Sequence, residues 1–436
     1  MEIFLTILYS LFFIFLIYRI GFYHIEGFTK KAVVFVFLIK ILAGIGMYFI
    51  YTYYYTDRST ADIFKYFDDS KVMYDALWNK PADFFRMVSG IQNDTTYFDQ
   101  YYHQMHNWYR VFESNIYNDS HTIIRINALM RIFSFGYFNV HTVFMCFLSL
   151  TGLVGLYRFF IPFMKDKKRL LFFSVFLIPS VVFWGSGVLK EAILLFGMGM
   201  FLYAISGLLN KKSIIRNIIL LLISIILLML TKYYVCILIV PLSLAFVWCK
   251  LTSEKYIYLK YGVIVVACIA LGMNMHHINP DLDMLKILAM KQNDFVGLAQ
   301  AMNSGSLISN DLLQPTAKDF IIHTPSAFYN TLVRPYIFEA GSVIVLFAAL
   351  ENLLILFLLI VSLLFISKKT QHKSVLVFCL LFFMALYILT GLTTPIFGAL
   401  VRYKVPAMPF LMVFIFMLMN QEKLLIRFPV LRKILR

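Results

Sequence analysis

Charge is scarce in this chain: 14% of its 436 residues are Asp, Glu, Lys or Arg, against 61% hydrophobic residues. Soluble globular domains carry roughly 25% charged residues, so this composition excludes an ordinary water-soluble fold. Cysteine is scarce too. Cys146, Cys236, Cys249, Cys268 and Cys379 all fall inside or at the ends of apolar runs, without metal-type spacing and without a pair in a loop. That argues against a disulfide framework and against a zinc site. The sequence also contains no phosphate-cradling glycine loop, no nucleophile elbow, no zinc-protease helix motif and no repeat of fixed period. Its first residues, MEIFLTILYS, carry no basic leader and no clear small-residue cleavage site, and so read as a retained first span.

What is present is a series of apolar runs long enough to cross a bilayer, separated by short clusters of Lys and Arg. A formal charge of +16 would suggest nucleic acid for a soluble protein. Here the clusters report topology, and no nucleic-acid partner is expected. The expected fold is an all-α integral membrane protein, a single polytopic domain over residues 1–436 with about 11 transmembrane helices. The spans are placed at about 2–18, 32–55, 137–162, 170–186, 188–209, 214–231, 233–250, 257–275, 341–367, 374–391 and 405–420. Alternate linkers are basic (Arg19 to Lys31, Lys165 to Arg169, Lys211 to Arg216, Lys250 to Lys260, Lys368 to Lys373), which puts them inside. Two large loops, 56–136 and 276–335, then fall on the outer side and carry amphipathic surface helices.

The first of these loops opens with the chain's densest polar stretch. Tyr51, Tyr53, Tyr54 and Tyr55 form an aromatic belt, and Asp57, Asp62, Asp68, Asp69 and Asp75 follow it closely. Ser59 and Asp62 have capping-box spacing, and Ile63, Phe64, Phe67, Val72, Met73 and Leu77 recur at helical intervals. The spacing predicts a surface helix with Asp68 and Asp69 at its middle. Such acids are equally the ordinary solvated face of an amphipathic helix. A second amphipathic stretch, 121–135, sets Arg125 and Arg131 opposite its apolar face.

Charges near the other outer ends are costly at bilayer depth, roughly 2.5–3.5 kcal/mol each, and so need a partner or a purpose. Lys190 and Glu191 follow a Gly-Ser-Gly break. Arg334 and Glu339 open the ninth span, Lys232 sits in a tight turn between the sixth and seventh, and Arg402, Tyr403 and Lys404 precede the last. By parity these basic residues converge on the outer headgroup level, where they could hold a phosphate. Snorkelling to phospholipid headgroups explains any one of them equally well, and Lys190 with Glu191 could be a structural ion pair. Lys40, in mid-span, reads as bundle-internal with a hydrogen-bond partner. His276, His277, Asp281 and Asp283 read as loop rather than as a metal site.

Four segments, DDSKVMYDAL, PSVVFWGSGVLKEAI, LVRPYIFEAGSVIVLFAALE and VRYKVPAMP, together resemble bacterial polytopic proteins related to the GT-C superfamily of lipid-dependent glycosyltransferases. The resemblance implies a first outer loop with an essential acid, surface helices, and a sugar donor carried on polyprenyl phosphate. It makes Asp68 or Asp69 that acid, and matches Arg402 and Tyr403 to the Arg-Tyr before the last span. The chain departs from the pattern in placing two spans, not one, ahead of the loop. Transfer from a lipid phosphate needs a carboxylate to take the acceptor's proton and cations to stabilise the leaving phosphate. Asp68 or Asp69 would supply the first; Lys190, Arg334 and Arg402, with Glu191, Glu339 and Tyr403 beside them, would form the lipid-phosphate site. A divalent cation, Mg or Mn, could bridge the paired acids and the phosphate, or the two aspartates could point to opposite sides of the helix. The expected partners are a polyprenyl-phosphate-linked sugar, a glycan acceptor and membrane lipids, at a bacterial inner (plasma) membrane with a periplasmic or extracellular active face. Two other readings stand beside it: an O-antigen or exopolysaccharide polymerase or ligase using outer arginines, and a flippase or transporter of lipid-linked sugars.

Overall fold

The computed structural model describes residues 1–109, 117–301, 307–308, 311–367 and 372–435; Lys368 and Lys369 of the basic linkers lie outside them. In chain order the helices are α1 Glu2–Arg19, α2 Lys30–Phe49, α3 Asp62–Asn79, α4 Pro81–Ser89, α5 Asp99–Tyr102, α6 Ser120–Ser134, α7 Phe138–Phe160, α8 Lys168–Phe176, α9 Pro179–Trp184 and α10 Lys190–Leu209. They continue with α11 Ile214–Leu251, α12 Ile257–Asn274, α13 Met284–Ala301, α14 Ala317–Val333, α15 Val343–Leu364, α16 Lys373–Thr393, α17 Phe397–Tyr403 and α18 Met408–Leu418. Among the described residues there is no strand beyond two isolated bridges, and 9 helices are long and apolar enough to cross a membrane. The chain is an all-α, multi-pass membrane protein.

The difference from eleven runs has local causes. The expected span 170–186 is two short helices, α8 and α9, because Pro179 lacks a backbone donor and disfavours helical geometry at the residue before it. The two runs expected at 214–231 and 233–250 are one 38-residue helical stretch in which Lys232 alone leaves helical geometry, at φ −150° and ψ 79°. The last apolar stretch begins at Phe397, not 405, so Arg402 and Tyr403 lie in the last turn of α17, and Lys404 is the turn residue that follows it, rather than all three lying in a loop between spans.

The contacts divide the described residues into two units: those within 1–109, 117–159 and 181–233 form the first, and those within 160–180 and 234–435 the second. In the first, α1, α2 and α7 share an aromatic cluster in which Phe13 stacks on Phe147 at 4.2 Å and meets Phe37 edge-on at 6.3 Å. α7 and α10 touch backbone to backbone, since a Cβ on Gly199 would strike the Gly152 carbonyl and one on Gly152 would strike that of Leu195. Only glycine lets two helices come this close, and even one extra methyl in such a contact costs about 1–3 kcal/mol. Lys40 is buried here, but its Nζ has no hydrogen-bond partner among the described residues, contrary to the expected one.

Above these spans α3 packs on α6. Ser59 does not cap α3: its N–H and hydroxyl donate to Asp57, and the helix starts two residues later, from Ala61. Arg131, expected on the polar face of α6, is buried: its Nε donates to Ser70 Oγ at 2.8 Å, its Nη2 to the Phe67 carbonyl at 2.6 Å, and its guanidinium lies over the Phe67 ring. Burial pushes this guanidinium down to about 10. The partner helix α3 therefore claims a residue that periodicity assigns to solvent.

In the second unit α14 lies along α16, with Gly391 against the Ala327 carbonyl and the Thr331 hydroxyl, and Thr331 Oγ1 donating to the Tyr387 carbonyl at 2.9 Å. This part of the 276–335 segment is thus packed on a membrane-spanning helix. Lys404 is buried, donating to Asn352 Oδ1 at 2.6 Å and to the Thr331 carbonyl at 3.2 Å. Glu351 accepts the Ser180 N–H at 2.7 Å.

Candidate functional site

Asp68 and Asp69 are neighbours on α3, and successive helical side chains diverge by about 100°. Their environments separate accordingly. Asp69 is 1% exposed and accepts two backbone N–H bonds, from His106 to Oδ1 at 2.7 Å and from Asn107 to Oδ2 at 2.9 Å. Burial raises its carboxyl above the ordinary range, against the pull of those two bonds. Its work is to pin the 103–109 segment onto α3. Asp68, with a side chain 38% exposed, faces out and takes Arg58 bidentately, at 2.8 Å from Nε and 2.6 Å from Nη2. Arg58 in turn lies 4.2 Å over the Phe64 ring, so the carboxylate is oriented by a stacked guanidinium. A pair pointing apart in this way, one member already saturated by N–H donors, does not fit as a bridge for one divalent cation. Among the described residues no group of three or more His, Cys, Asp or Glu could hold a metal ion.

Asp68 opens onto a polar pocket of about 470 Å³ between α3 and the start of the 99–104 segment, lined also by Lys71, Asp75, Gln100, Tyr101 and Gln104. Lys71 and Asp75 pair at 2.5 Å along the helix. Tyr101 donates its hydroxyl to the buried Asp83 at 2.9 Å, and Tyr97 donates to the same Oδ2 at 2.7 Å. The Tyr101 ring is thereby held against the pocket, and burial followed by the Asp83 carboxylate raises its hydroxyl. With Asn79 and Lys80 also on its wall, the pocket offers carboxylates, amides, two ammoniums and one aromatic wall, the donor and acceptor set that a polyhydroxylated ligand requires.

A second polar cluster lies deeper in the same unit. Lys190, at the first turn of α10 beside buried Glu191, donates to Asp119 Oδ1 at 2.5 Å and to Ser120 Oγ at 3.3 Å, and stands 5.1 Å from the Tyr66 ring centroid. Lys232 approaches the other oxygen of Asp119 at 3.7 Å. The backbone break at Lys232 brings this ammonium to the carboxylate. Next to it His121 stacks on Trp108 at 3.8 Å and donates Nε2–H to the Trp108 carbonyl at 2.9 Å.

Burial, aided by the charges of Arg125 and Lys190 and opposed by the Trp108 carbonyl and by Asp119, lowers His121 from 6.5 to about 4. The native state therefore binds fewer protons than the unfolded chain between those two values, so stability rises with pH across the window and is lost as pH falls through it. The loss should reach about 3 kcal/mol at the acid end. Melting curves from pH 7 to 4 should show it in wild type and lack it in His121→Gln, which can still donate to Trp108; identical pH profiles would exclude His121 as the cause.

The remaining expected residues lie in the second unit. Arg334 forks onto Glu339, which also accepts the Tyr336 N–H at 2.9 Å, and stands 5.2 Å from the centroid of Phe397, the first residue of α17. Arg334 thereby holds Glu339 below its usual range, against burial, which pushes the other way. Arg402 and Tyr403 close that same helix, with Tyr403 packed on Phe295 at 5.9 Å. The second unit thus brings Arg334 to the helix that carries Arg402, while Lys190 belongs to the first. Missed by sequence reasoning were Arg58, Asp119, Tyr66 and the 100–104 wall of the pocket. Asp119 directly precedes α6 and reads as an N-cap, but no side-chain cap bond forms and its carboxylate goes to the lysines.

Compared with protein-family models, with curated proteins and with solved structures, the chain gives no match to any of them.

Proposed function

We propose that this protein is a membrane glycosyltransferase that moves a sugar from a polyprenyl-phosphate-type donor to a cell-envelope glycan or lipid-linked acceptor. In this reading it crosses a bacterial inner membrane about eleven times, α11 counting twice and the α8–α9 pair once, with the 56–136 segment outside. At 38 residues α11 would run about 57 Å if straight, too long for one crossing of a hydrocarbon core about 30 Å thick. The observation that carries the proposal is the outward-facing, Arg58-oriented Asp68 at the mouth of a polar pocket just beyond the aromatic belt. Such a carboxylate can accept the proton of an acceptor hydroxyl as the sugar leaves its phosphate. Asp69, saturated by backbone donors, is assigned to positioning. Within the first unit Lys190 remains the residue proposed to steady the leaving phosphate, no step requiring a cation between the two aspartates, while Arg334 and Arg402 are proposed as phosphate-binding residues of the second unit by itself.

The test is direct. Purified protein in proteoliposomes, given a radiolabelled polyprenyl-phosphate sugar and a glycan acceptor, should pass label to the acceptor. Label that crosses the bilayer without being transferred would make the chain a transporter. Label that does neither would end the reading.

A further inference from the structure

At the end of the first unit that carries its basic linkers lies a groove of about 640 Å³. It is far in sequence from the acidic segment and uses none of its residues. Arg158 and Arg216 line it, and no acidic residue does. Arg158 is partly committed: its Nε donates to the Phe22 carbonyl at 2.8 Å, and its Nη2 to those of Gly21 at 3.0 Å and His24 at 2.8 Å. These bonds tie down the turn after α1 and leave Nη1 without a hydrogen-bond partner among the described residues. Arg216 is exposed and makes no hydrogen bond or ion pair among them. Lys211 and Lys212 stand on the same linker. Two guanidiniums sharing a groove without a counter-charge repel each other and call for an anion.

The rest of the groove says which anion. Below Arg216, one turn apart along α11, Ile219 is 53% exposed and Ile223 49%, and Met200 on α10 faces the same space. These are bilayer-facing positions of membrane-spanning helices, so the cations sit at headgroup level above a wall fit for an acyl chain. A free phosphate would leave that wall unused, and a zwitterionic lipid would bring its own cation against the two arginines. We infer that this groove binds an anionic phospholipid of the basic-linker leaflet, its phosphate between Arg158 and Arg216 and one chain along Ile219 and Ile223.

Binding of dioleoylphosphatidylglycerol and of dioleoylphosphatidylcholine to the purified full-length protein, titrated by native mass spectrometry, tests this. Wild type should prefer the anionic lipid. Arg216→Gln should weaken phosphatidylglycerol binding about fivefold, the value for one basic residue near an anionic surface, and leave phosphatidylcholine unchanged. Ile223→Trp, which fills the groove and keeps both arginines, should also weaken it. Unaltered phosphatidylglycerol binding in both variants, or its displacement by sodium phosphate at lipid-equivalent concentration, would overturn the assignment.

Discussion

Asp68→Asn should leave a folded, membrane-inserted protein that still binds the lipid-linked donor but transfers its sugar 10²- to 10⁴-fold more slowly, the usual cost of losing a general base, about 3–5 kcal/mol in barrier. Asparagine keeps the size and one acceptor oxygen but cannot take the proton. Folding should hardly notice, because the lost Arg58 pair is a partly exposed one, worth about 0.2–1 kcal/mol. Asp69→Asn should behave in the opposite way. There one carboxylate oxygen accepts the His106 N–H and the other the Asn107 N–H. An amide can satisfy only one of them and turns its own donor toward the other. A buried donor left unmet costs about 1–3 kcal/mol, so this variant should melt lower, and its transfer rate per folded molecule should fall only as far as the 103–109 segment loosens.

The two variants, measured for melting and for transfer in one preparation, separate a base from an anchor. If Asp68→Asn transfers at the wild-type rate, the chemistry proposed for this carboxylate is wrong, and the polymerase reading, which relies on outer arginines, becomes the better one. If Asp69→Asn melts with wild type, the backbone anchoring carries no weight.

The apolar spans and the helix bearing the two aspartates were legible because both depend on local pattern: run length for the first, helical period for the second. Span count was less so. Pro179 and the single non-helical residue Lys232 decide whether 168–186 and 214–251 count as one element or two, and hydropathy does not register a backbone break. Periodicity also could not tell Asp68 from Asp69. They differ because a segment almost forty residues away lays its N–H groups on one of them, which is tertiary information. Arg131 failed for the same reason: a charged residue on the polar face of α6 is claimed by carbonyl and hydroxyl acceptors on α3. Long-range polar pairs leave no trace in a single sequence.

Asp119 is the sharpest case of such a pair, and it carries the second large expectation. Its carboxylate lies 2.5 Å from Lys190 and 3.7 Å from Lys232, two side chains only 3% and 6% exposed. Taking one partner from a buried ionic group costs about 3–5 kcal/mol, since the charge that stays loses its compensation but not its desolvation penalty. Asp119→Asn should therefore lower unfolding stability in detergent by about that much. Lys190→Met alone should cost less, because Lys232 still faces the carboxylate. In the double variant the loss should be smaller than the sum of the two, with a coupling of about 1–3 kcal/mol, the range for groups in one polar network. Additive losses would mean that Lys190 and Asp119 act independently. A loss under about 1 kcal/mol for Asp119→Asn would mean the cluster is solvated like a surface pair.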